Sequence, residues 1–332
     1  MKKRRIKYKN VFKLLLIIVL LVLLIKFCFN KKVKDITPPT ITLEGGDITI
    51  MLNEDYQEKG YIAFDDIDKD ITKKVIIKNN IDNKTPGEYE IIYTVKDSSS
   101  NETYQKRKVT VLDSPLNMSV KDFKLDGYYD SIKLKETEMQ TDEYLKDFVF
   151  VGDSIPNYYG MYDAISGHQL WTLNGLDPET AKTTPININY GNDGSMLMVE
   201  AFSKYKPKYA LITLGTNCAS WMKPNYYILE YKELIDQIKE KSPNTKIIIQ
   251  SIPPIDISLD TKSNLTNKKI NDLNFYLLKM CYENNISFLD SESVMKDENG
   301  TCIKGYCQEV DGFHHTKEGI KQLVIYLKSH SL

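Results

Sequence analysis

The stretch FVFVGDSI, residues 148–155, sets a short apolar run directly before a glycine, an aspartate and a serine. An apolar run of this length, bounded by turn residues, is typical of a buried strand. Similar runs follow at 209–215 (YALITLG), 246–252 (KIIIQSI) and 286–290 (ISFLD), and 169–175 (QLWTLNG) is a weaker fifth. The chain from residue 146 onward is therefore predicted to contain a sheet of buried strands.

Segments with helical periodicity lie between these strands. Their apolar residues recur every three or four positions in three sets: Ile228, Tyr231, Leu234, Ile235 and Ile238; Ile270, Leu273, Leu277 and Cys281; and Ile320, Leu323, Val324 and Leu327. Thr316 precedes the last set as a predicted N-cap. Strands that alternate with helices predict a three-layer α/β/α domain around a parallel sheet. In such a domain, ligands bind beyond the carboxyl ends of the strands.

Side chains with useful chemistry occupy the expected carboxyl edge of this sheet. Ser154 follows the first strand, Asn217 follows the strand at 209–215, and Asp311 and His314 precede the last helix. A serine becomes a nucleophile when a base takes its proton, and an asparagine amide can donate to a developing oxyanion. Taken singly, the serine could be a helix cap, the asparagine a turn residue and the loop merely polar. Their occurrence together favours a serine-based acyl-transfer site.

Three motifs resemble those of the SGNH/GDSL hydrolase family, over about residues 146–330. FVFVGDSI resembles its nucleophile block, LITLGTN (211–217) the block with its oxyanion asparagine, and DGFHHTKEG (311–319) its closing block. The resemblance implies a flavodoxin-like α/β fold without a cofactor or a metal. It also implies that Ser154 attacks an ester carbonyl, that His314 is the base and that Asp311 orients His314. His315 falls where the family varies.

The same resemblance implies an oxyanion hole. Its donors would be the N–H of Ser154, the N–H of a glycine and the side chain of Asn217. Gly175, which follows the second strand, is the first choice for the glycine, and Gly191 and Gly194 are the alternatives.

Two positions depart from the family pattern. Ile155 stands where leucine is commonest, and Cys218 stands where aspartate is frequent. Neither change removes a catalytic group. Cys218 is not expected to be a nucleophile itself, because no neighbour in the sequence resembles its base.

Residues 36–113 are predicted to form a β-sandwich, because short alternating runs are separated by frequent turn signals. The pieces DITPPTITLEG, GYIAFDDIDKDIT and NKTPGEYEIIYTVKDSSSNET resemble a bacterial Ig-like surface domain, which implies a spacer or an adhesion module. Residues 114–145 are predicted to be a linker plus an entry segment, which leads into the hydrolase domain at 146–332.

The acidic run in this domain raises the question of calcium. Asp66, Asp68 and Asp70 have the opening spacing of an EF-hand, but Ile71 stands at its glycine position and Ile77 at its closing glutamate. An EF-hand is excluded. A looser calcium site and a solvated turn stay open.

Charge is distributed unevenly along the 332 residues. The chain has 44 Lys and Arg against 45 Asp and Glu, and residues 1–35 hold 11 of the basic residues but one acidic residue. The remainder therefore carries 33 basic against 44 acidic residues, which gives no support to nucleic-acid binding.

The basic N-terminus precedes an apolar segment. The run Leu14–Ile25 is flanked by Lys13 and Lys26, whose side chains can snorkel, so the usable span is about Val11–Phe29. Residues 1–35 are predicted to be a cytoplasmic tail and a single transmembrane signal-anchor, with the rest extracytoplasmic. A cleaved signal peptide is the alternative, but small residues for a cleavage site are missing.

Cys302 and Cys307 are spaced to close a small disulfide loop, which an exported location permits, and two free thiols are the alternative. The expected function is a membrane-anchored extracytoplasmic esterase that removes small acyl groups from a cell-envelope glycan. Two alternatives stay open: an acyltransferase with a multispanning membrane partner, and a non-catalytic surface binding protein.

Overall fold

The structure is a computed structural model that describes residue 13 and residues 16–21, 35–188, 194–260 and 264–332. Its residues fall in two units, Met1–Leu112 and Asp113–Leu332. The predicted anchor, Val11–Phe29, lies largely outside the described residues. Within the described part of the chain, no helix has the length and apolar character needed to cross a membrane. The anchor therefore stays a prediction.

The first unit consists of two β-sheets. Its strands are β1 (Thr40–Leu43), β2 (Ile48–Met51), β3 (Tyr61–Asp65), β4 (Lys69–Asp70), β5 (Ile76–Asn79), β6 (Gly87–Lys96) and β7 (Glu102–Leu112). One sheet has the order β1-β3-β4 and the other β2-β7-β6-β5. Residues from both sheets, among them Ile41, Ala63 and Tyr93, share one buried core. The predicted β-sandwich is confirmed.

The second unit contains a seven-stranded sheet. Its strands are β8 (Phe148–Gly152), β9 (Leu170–Thr172), β10 (Ile186–Ile188), β11 (Ser195–Met196), β12 (Tyr209–Thr213), β13 (Lys246–Gln250) and β14 (Ser287–Leu289), in the order β11-β10-β9-β8-β12-β13-β14. Five neighbouring strands of this sheet, β9, β8, β12, β13 and β14, are parallel. Strands β10 and β11 extend the sheet beyond β9 as an antiparallel edge. All five predicted strands are present; the antiparallel edge was not predicted.

Helices cover both faces of this sheet. They are α1 (Asp142–Leu145), α2 (Ser154–Met161), α3 (Met198–Tyr205), α4 (Pro224–Lys241), α5 (Ile257–Asp260), α6 (Asn267–Glu283) and α7 (Lys317–Ser329). Helices α2 and α7 share a core with Phe150 and Leu211, whereas α4 packs beside both α3 and α6. Thr316 caps α7, because its Oγ1 accepts a hydrogen bond from the N–H of Gly319 at 3.2 Å. The three-layer prediction is confirmed.

Residues 114–145 belong to the second unit and are not a free linker. The backbone of this segment lies beside β14: the N–H of Leu134 donates to the carbonyl of Phe288 at 2.8 Å, and the N–H of Phe288 donates to the carbonyl of Ile132 at 2.9 Å. Phe123 and Leu125 are buried. The apolar side chains of this segment follow no regular period in the sequence, although they are packed in a core.

The strand order places a crevice at one edge of the sheet. The parallel strands β9-β8-β12-β13-β14 have the chain order 2-1-3-4-5, so consecutive connections leave β8 in opposite directions. Gly152, the last residue of β8, lets the two central strands approach: a Cβ there would lie 2.1 Å from the carbonyl oxygen of Thr213. The ends of β8 and β12 therefore sit side by side at the point where ligands bind in such folds.

Candidate active site

The turn from β8 into α2 carries Ser154. Asp153 is the N-cap of α2, and its Oδ1 accepts a hydrogen bond from the N–H of Ile155 at 2.9 Å. Ser154 is thus the first residue of the helix, where backbone N–H groups are left without helical partners and the helix dipole is positive. This position suits a group on which negative charge develops.

Three side chains predicted from two separate motifs form one hydrogen-bonded chain. The Oγ of Ser154 lies 2.8 Å from the Nε2 of His314, and the Nδ1 of His314 lies 2.8 Å from the Oδ2 of Asp311. Burial alone would raise the pKa of the Asp311 carboxyl, but hydrogen bonds from the His314 ring and from backbone N–H groups bring it below its ordinary value. Asp311 is therefore ionised at neutral pH, as a group that orients an imidazole must be.

The loop that holds His314 is closely braced. The Oδ1 of Asp311 accepts hydrogen bonds from the N–H groups of Phe313 and His314 at 3.1 and 3.0 Å. The N–H of Gln308 donates to the carbonyl of His314 at 2.7 Å. Cys302 and Cys307 form a disulfide just before this loop. Because these bonds hold the backbone on both sides of His314, its imidazole ring has little freedom to move.

The two adjacent histidines have different environments. His315 is fully buried, and its Nδ1 lies 3.8 Å from the Sγ of Cys307. The backbones of the same two residues form an antiparallel β-bridge. Burial, together with the nearby His314, lowers the pKa of His315 to about 4. His315 is a neutral core residue, and His314 is the one beside Ser154.

Asn217 lies on the same cavity as Ser154. Its Nδ2 donates to the Oδ2 of Asp153 at 2.9 Å, and the carbonyl of Leu176 is 3.4 Å away. The first bond uses one of the two amide hydrogens, and the second contact is long for an N–H···O hydrogen bond. The second hydrogen is therefore only weakly held by the Leu176 carbonyl, and an oxygen bound in the cavity would compete for it.

Sequence reasoning missed the part played by Asp153. This carboxyl is 1% exposed, and burial raises its pKa to about 7, although hydrogen bonds from Ile155 and Asn217 oppose the rise. One oxygen caps the helix that begins at Ser154, and the other holds Asn217. The signal in the sequence was its position as the N-cap directly before the serine.

The candidate oxyanion glycines are distinguished by the cavity. Gly175 lines it and has a φ of +79°, a conformation that glycine adopts without strain. Gly194 is not among the lining residues; its carbonyl accepts from the N–H of Ile188 at 3.3 Å, in the antiparallel edge of the sheet. Gly191 lies outside the described residues. Of the glycines that the structure describes, Gly175 is the one that shares a cavity with Ser154.

The cavity itself is small, with a volume of about 290 Å³, and its lining is about equally polar and apolar. Its lining residues are Ser154, Asn157, Tyr158, Met161, Asn174, Gly175, Asn217, Phe313 and His314. The Nδ2 of Asn157 donates to the Oδ1 of Asn174 at 2.6 Å, and the ring of Phe313 lies 4.1 Å from that of His314. Trp221 is 57% exposed but does not line the cavity.

Cys218 is buried one residue after Asn217, and its Sγ donates to the carbonyl of Gly215 at 3.3 Å. Burial, with the nearby Asp177 and Asp153 carboxyls, raises the pKa of this thiol. A buried thiol that resists ionisation is a poor nucleophile, which agrees with the expectation from the sequence.

The chain resembles known proteins in two separate regions. Residues 150–321 match the family model of the GDSL-like lipase/acylhydrolase family, and residues 41–111 match that of the bacterial surface protein Ig-like domain. A search of curated proteins found no match.

Solved structures resemble each region. A GDSL-like lipase from Bacteroides thetaiotaomicron is 16% identical with a TM-score of 0.39, and the match covers 64% of this chain and 96% of the lipase. A lipase/acylhydrolase from Enterococcus faecalis is 17% identical with a TM-score of 0.39, over 55% of this chain and 92% of that one. A lipoprotein from Bacteroides thetaiotaomicron is 32% identical with a TM-score of 0.21, over 23% of this chain and only 40% of its own length.

The family model covers more than half of the chain, including the strand before Ser154 and the loop with Asp311 and His314. The chain belongs to the GDSL-like lipase/acylhydrolase family and is a serine hydrolase that carries an Ig-like domain ahead of its catalytic domain.

Proposed function

We propose that this serine hydrolase is a membrane-anchored, extracytoplasmic esterase that removes acetyl or other small acyl groups from a cell-envelope glycan. The observation that carries the catalytic part is the 2.8 Å contact between the Oγ of Ser154 and the Nε2 of His314. A nucleophile and its base must lie within hydrogen-bond reach, and this pair does.

The proposed reaction has two halves. Ser154 Oγ attacks the ester carbonyl while His314 Nε2 takes its proton, and Asp311 stabilises the charged imidazolium. His314 then protonates the departing alcohol, which leaves the acyl group on Ser154. A water molecule, deprotonated by His314, attacks the acyl-enzyme carbonyl. The bond between the carbonyl carbon and Ser154 Oγ breaks, the carboxylic acid leaves, and His314 returns the proton to Oγ. The N–H groups of Ser154 and Gly175 and the amide of Asn217 donate to the oxyanion in both halves.

The cavity supports a small acyl group and a polar substrate. Its volume of about 290 Å³ is at the low end of the range for ligand pockets, which leaves little space for a long acyl chain. The side-chain amides of Asn157, Asn174 and Asn217 can exchange hydrogen bonds with sugar hydroxyls. The rings of Tyr158 and Phe313, both on the cavity, offer faces for a sugar ring.

An extracytoplasmic location is supported by three features. The Cys302–Cys307 disulfide is of a kind that persists in oxidising compartments. The basic residues before an apolar run are typical of a signal-anchor, and Ig-like domains of this family are found on bacterial surface proteins. Membrane fractionation of cells tests this point: the intact chain should sediment with membranes, whereas a chain without residues 1–34 should not.

The catalytic proposal is tested by p-nitrophenyl acetate hydrolysis with the full chain and its Ser154→Ala and His314→Ala variants. Both variants should lose about 10³-fold or more in kcat, because the residues of a triad act as a unit. Ser166→Ala and His168→Ala are matched controls. The Oγ of Ser166 and the Nδ1 of His168 are hydrogen-bonded at 2.8 Å, as in the candidate pair, but both residues are exposed and neither lines the cavity. Full activity in folded Ser154→Ala would overturn the proposal.

The acceptor and substrate are tested with the same protein. Hydrolysis of O-acetylated glycan fragments that depends on Ser154 would support the esterase. Slow hydrolysis that accelerates when a sugar alcohol is added as acceptor would instead assign the protein as an acyltransferase, the function that would need a multispanning donor partner. Tight glycan binding without turnover on any ester would assign it as a binding protein.

A further inference from the structure

Three acidic side chains converge at one end of the first unit. Asp35 lies ahead of β1, Asp65 ends β3, and Asp66 begins the turn between β3 and β4. One carboxylate oxygen from each lies within 4.8 Å of the others. Asp35 and Asp65 are only 8% and 2% exposed, whereas Asp66 is open to solvent. This is an acidic cluster that is partly enclosed by protein.

Each buried carboxylate uses one oxygen and leaves the other unpartnered. The Oδ1 of Asp35 accepts from the N–H of Thr37 at 3.0 Å, and the Oδ1 of Asp65 accepts from the N–H groups of Ile67 and Asp68 at 3.0 and 2.7 Å. The Oδ2 atoms of Asp35 and Asp65 are both buried without a hydrogen-bond partner among the described residues. The backbone thus fixes two carboxylates of the cluster and leaves one buried oxygen on each of them without a partner.

Such an arrangement is unfavourable without a counter-charge. A buried carboxylate needs a hydrogen bond or a cation, and adjacent carboxylates repel each other. Across the part of the chain that the structure describes, no Lys or Arg forms an ion pair with any of the three.

We propose that Asp35, Asp65 and Asp66 bind a divalent cation, and that the cation is Ca²⁺. Carboxylate oxygens, as the only protein ligands, suit a hard cation of variable geometry. Ca²⁺ takes six to eight oxygens, so water completes the shell on the exposed side of Asp66. With few protein ligands and one open face, the expected Kd is about 10⁻⁴–10⁻³ M, the range of extracellular calcium modules.

The position of Asp35 is held by the turn between β6 and β7. The Nδ2 of Asn101 lies 3.3 Å from the carbonyl of Asp35 and donates to the Oδ2 of Asp97 at 2.7 Å. The site is therefore formed by residues about 30 positions apart in the chain but tied to one framework. A bound cation would join the segment before β1 to the end of β3, and so would stabilise the folded first unit.

The other acidic residues of the same turn are already engaged. Asp68 accepts from the N–H and Oγ of Ser98 at 2.6 and 2.8 Å and lies 3.3 Å from the Nζ of Lys74. Asp70 accepts from the N–H of Thr72 at 2.9 Å. Of the three aspartates with EF-hand spacing, only Asp66 belongs to the proposed site, which is why the sequence motif did not reveal it.

The experiment is calcium binding by the full chain, in a nonionic detergent and after removal of metals with a chelator. Calorimetric titration with CaCl₂ to about 10 mM, beside MgCl₂, covers the expected affinity range. Thermal unfolding is recorded with and without CaCl₂. The variants are Asp65→Asn, which keeps the shape of a buried ligand, and Asp66→Asn, which changes an exposed ligand and leaves the core intact.

Asp82→Asn is the matched control. Asp82 also accepts a backbone N–H two residues on, from Lys84 at 3.0 Å, but it lies outside the cluster. Ester hydrolysis by each sample shows whether the second unit has stayed folded.

We expect saturable Ca²⁺ binding, a rise in unfolding temperature with CaCl₂, and at least a tenfold loss of affinity in Asp66→Asn but not in Asp82→Asn. No Ca²⁺ binding by the wild type would overturn the proposal, and so would binding that both cluster variants retain. A higher unfolding temperature in Asp65→Asn, with no effect of CaCl₂ on the wild type or on any variant, would also overturn it.

Discussion

The amide of Asn217 donates a 2.9 Å hydrogen bond to the carboxylate of Asp153, the residue that precedes the serine. This single contact joins the end of β12 to the end of β8. The same carboxylate caps α2, so one buried aspartate sets the position of both the serine helix and an oxyanion donor. Asp153 touches neither Ser154 Oγ nor the proposed oxyanion; it is a positioning residue.

Asp153→Asn should therefore lower kcat with little change in KM. An asparagine has one side-chain oxygen where the carboxylate has two. If that oxygen caps the helix, the NH₂ group faces Asn217 and cannot accept its hydrogen bond. The expected loss is about 10²-fold, similar to that of Asn217→Ala, since an oxyanion donor is typically worth that much. In the double variant the losses should not add, because the two residues act through one bond.

Asp290→Asn is the control for this experiment. Asp290 is also an aspartate whose pKa burial raises to about 7, with nearby Glu292 adding to the rise, but it is not on the cavity. Steady-state kinetics on p-nitrophenyl acetate compare the two. A loss of kcat as large in Asp290→Asn as in Asp153→Asn would mean that general destabilisation, and not the position of Asn217, is responsible.

Asp311→Asn should reduce kcat by about 10⁴-fold, because a neutral amide neither stabilises the imidazolium nor fixes its tautomer. The wild-type carboxyl also contributes to stability. Its folded-state pKa is lowered, so the contribution is present above the unfolded pKa and is lost as the pH falls through the folded value. Chemical denaturation of both proteins from pH 7 to pH 3 should show a smaller acid-dependent loss in the variant. An identical pH dependence would contradict this.

His315 should make the fold sensitive to acid. Its pKa is about 4 in the folded chain, below the ordinary value of a histidine, so the unfolded chain takes up the proton first. Stability should therefore fall as the pH drops from about 6.5 to 4, by about 3 kcal/mol from this residue. His315→Gln should be less stable at pH 7 but should show a shallower fall below it. An unchanged slope in urea denaturation would show that His315 does not titrate with unfolding.

The Cys302–Cys307 disulfide should support activity through the loop that carries His314. Closing a loop this short is expected to stabilise the fold by about 2 kcal/mol. The Cys302→Ala/Cys307→Ala double variant should unfold at lower denaturant, and its kcat should fall while its KM changes little. Treatment of the wild type with dithiothreitol should have the same effect, and the double variant should be insensitive to it. If dithiothreitol lowered the activity of both proteins equally, the loss would not come from the Cys302–Cys307 disulfide.

The sheet could be predicted because its central strands are continuous apolar runs. Phe148–Gly152 is buried at every position, which is the pattern of a strand covered on both faces. The edge strands β10 and β11 escaped prediction because they are three and two residues long and contain exposed positions. A strand of that length has no detectable period, and it exists only because β9 offers it a partner.

The candidate triad could be predicted from motifs, since each residue lies at a strand end or before a helix. The supporting contacts could not. Asp153 and Asn217 are 64 positions apart, and no local pattern pairs them. The acidic cluster was sought within one turn, at Asp66, Asp68 and Asp70, whereas the structure draws its partner from the segment before β1. Burial and unsatisfied oxygens are properties of the folded chain alone.

The close approach at Gly152 limits what mutation can do to this protein. A single added methyl group would force β8 away from Thr213, and the serine lies only two residues further along the same strand exit. Gly152→Ala would thus disturb the packing of β8 on β12 and the position of Ser154 in one step. The residues that the sheet tolerates at this position are therefore limited to those that also keep the nucleophile in place.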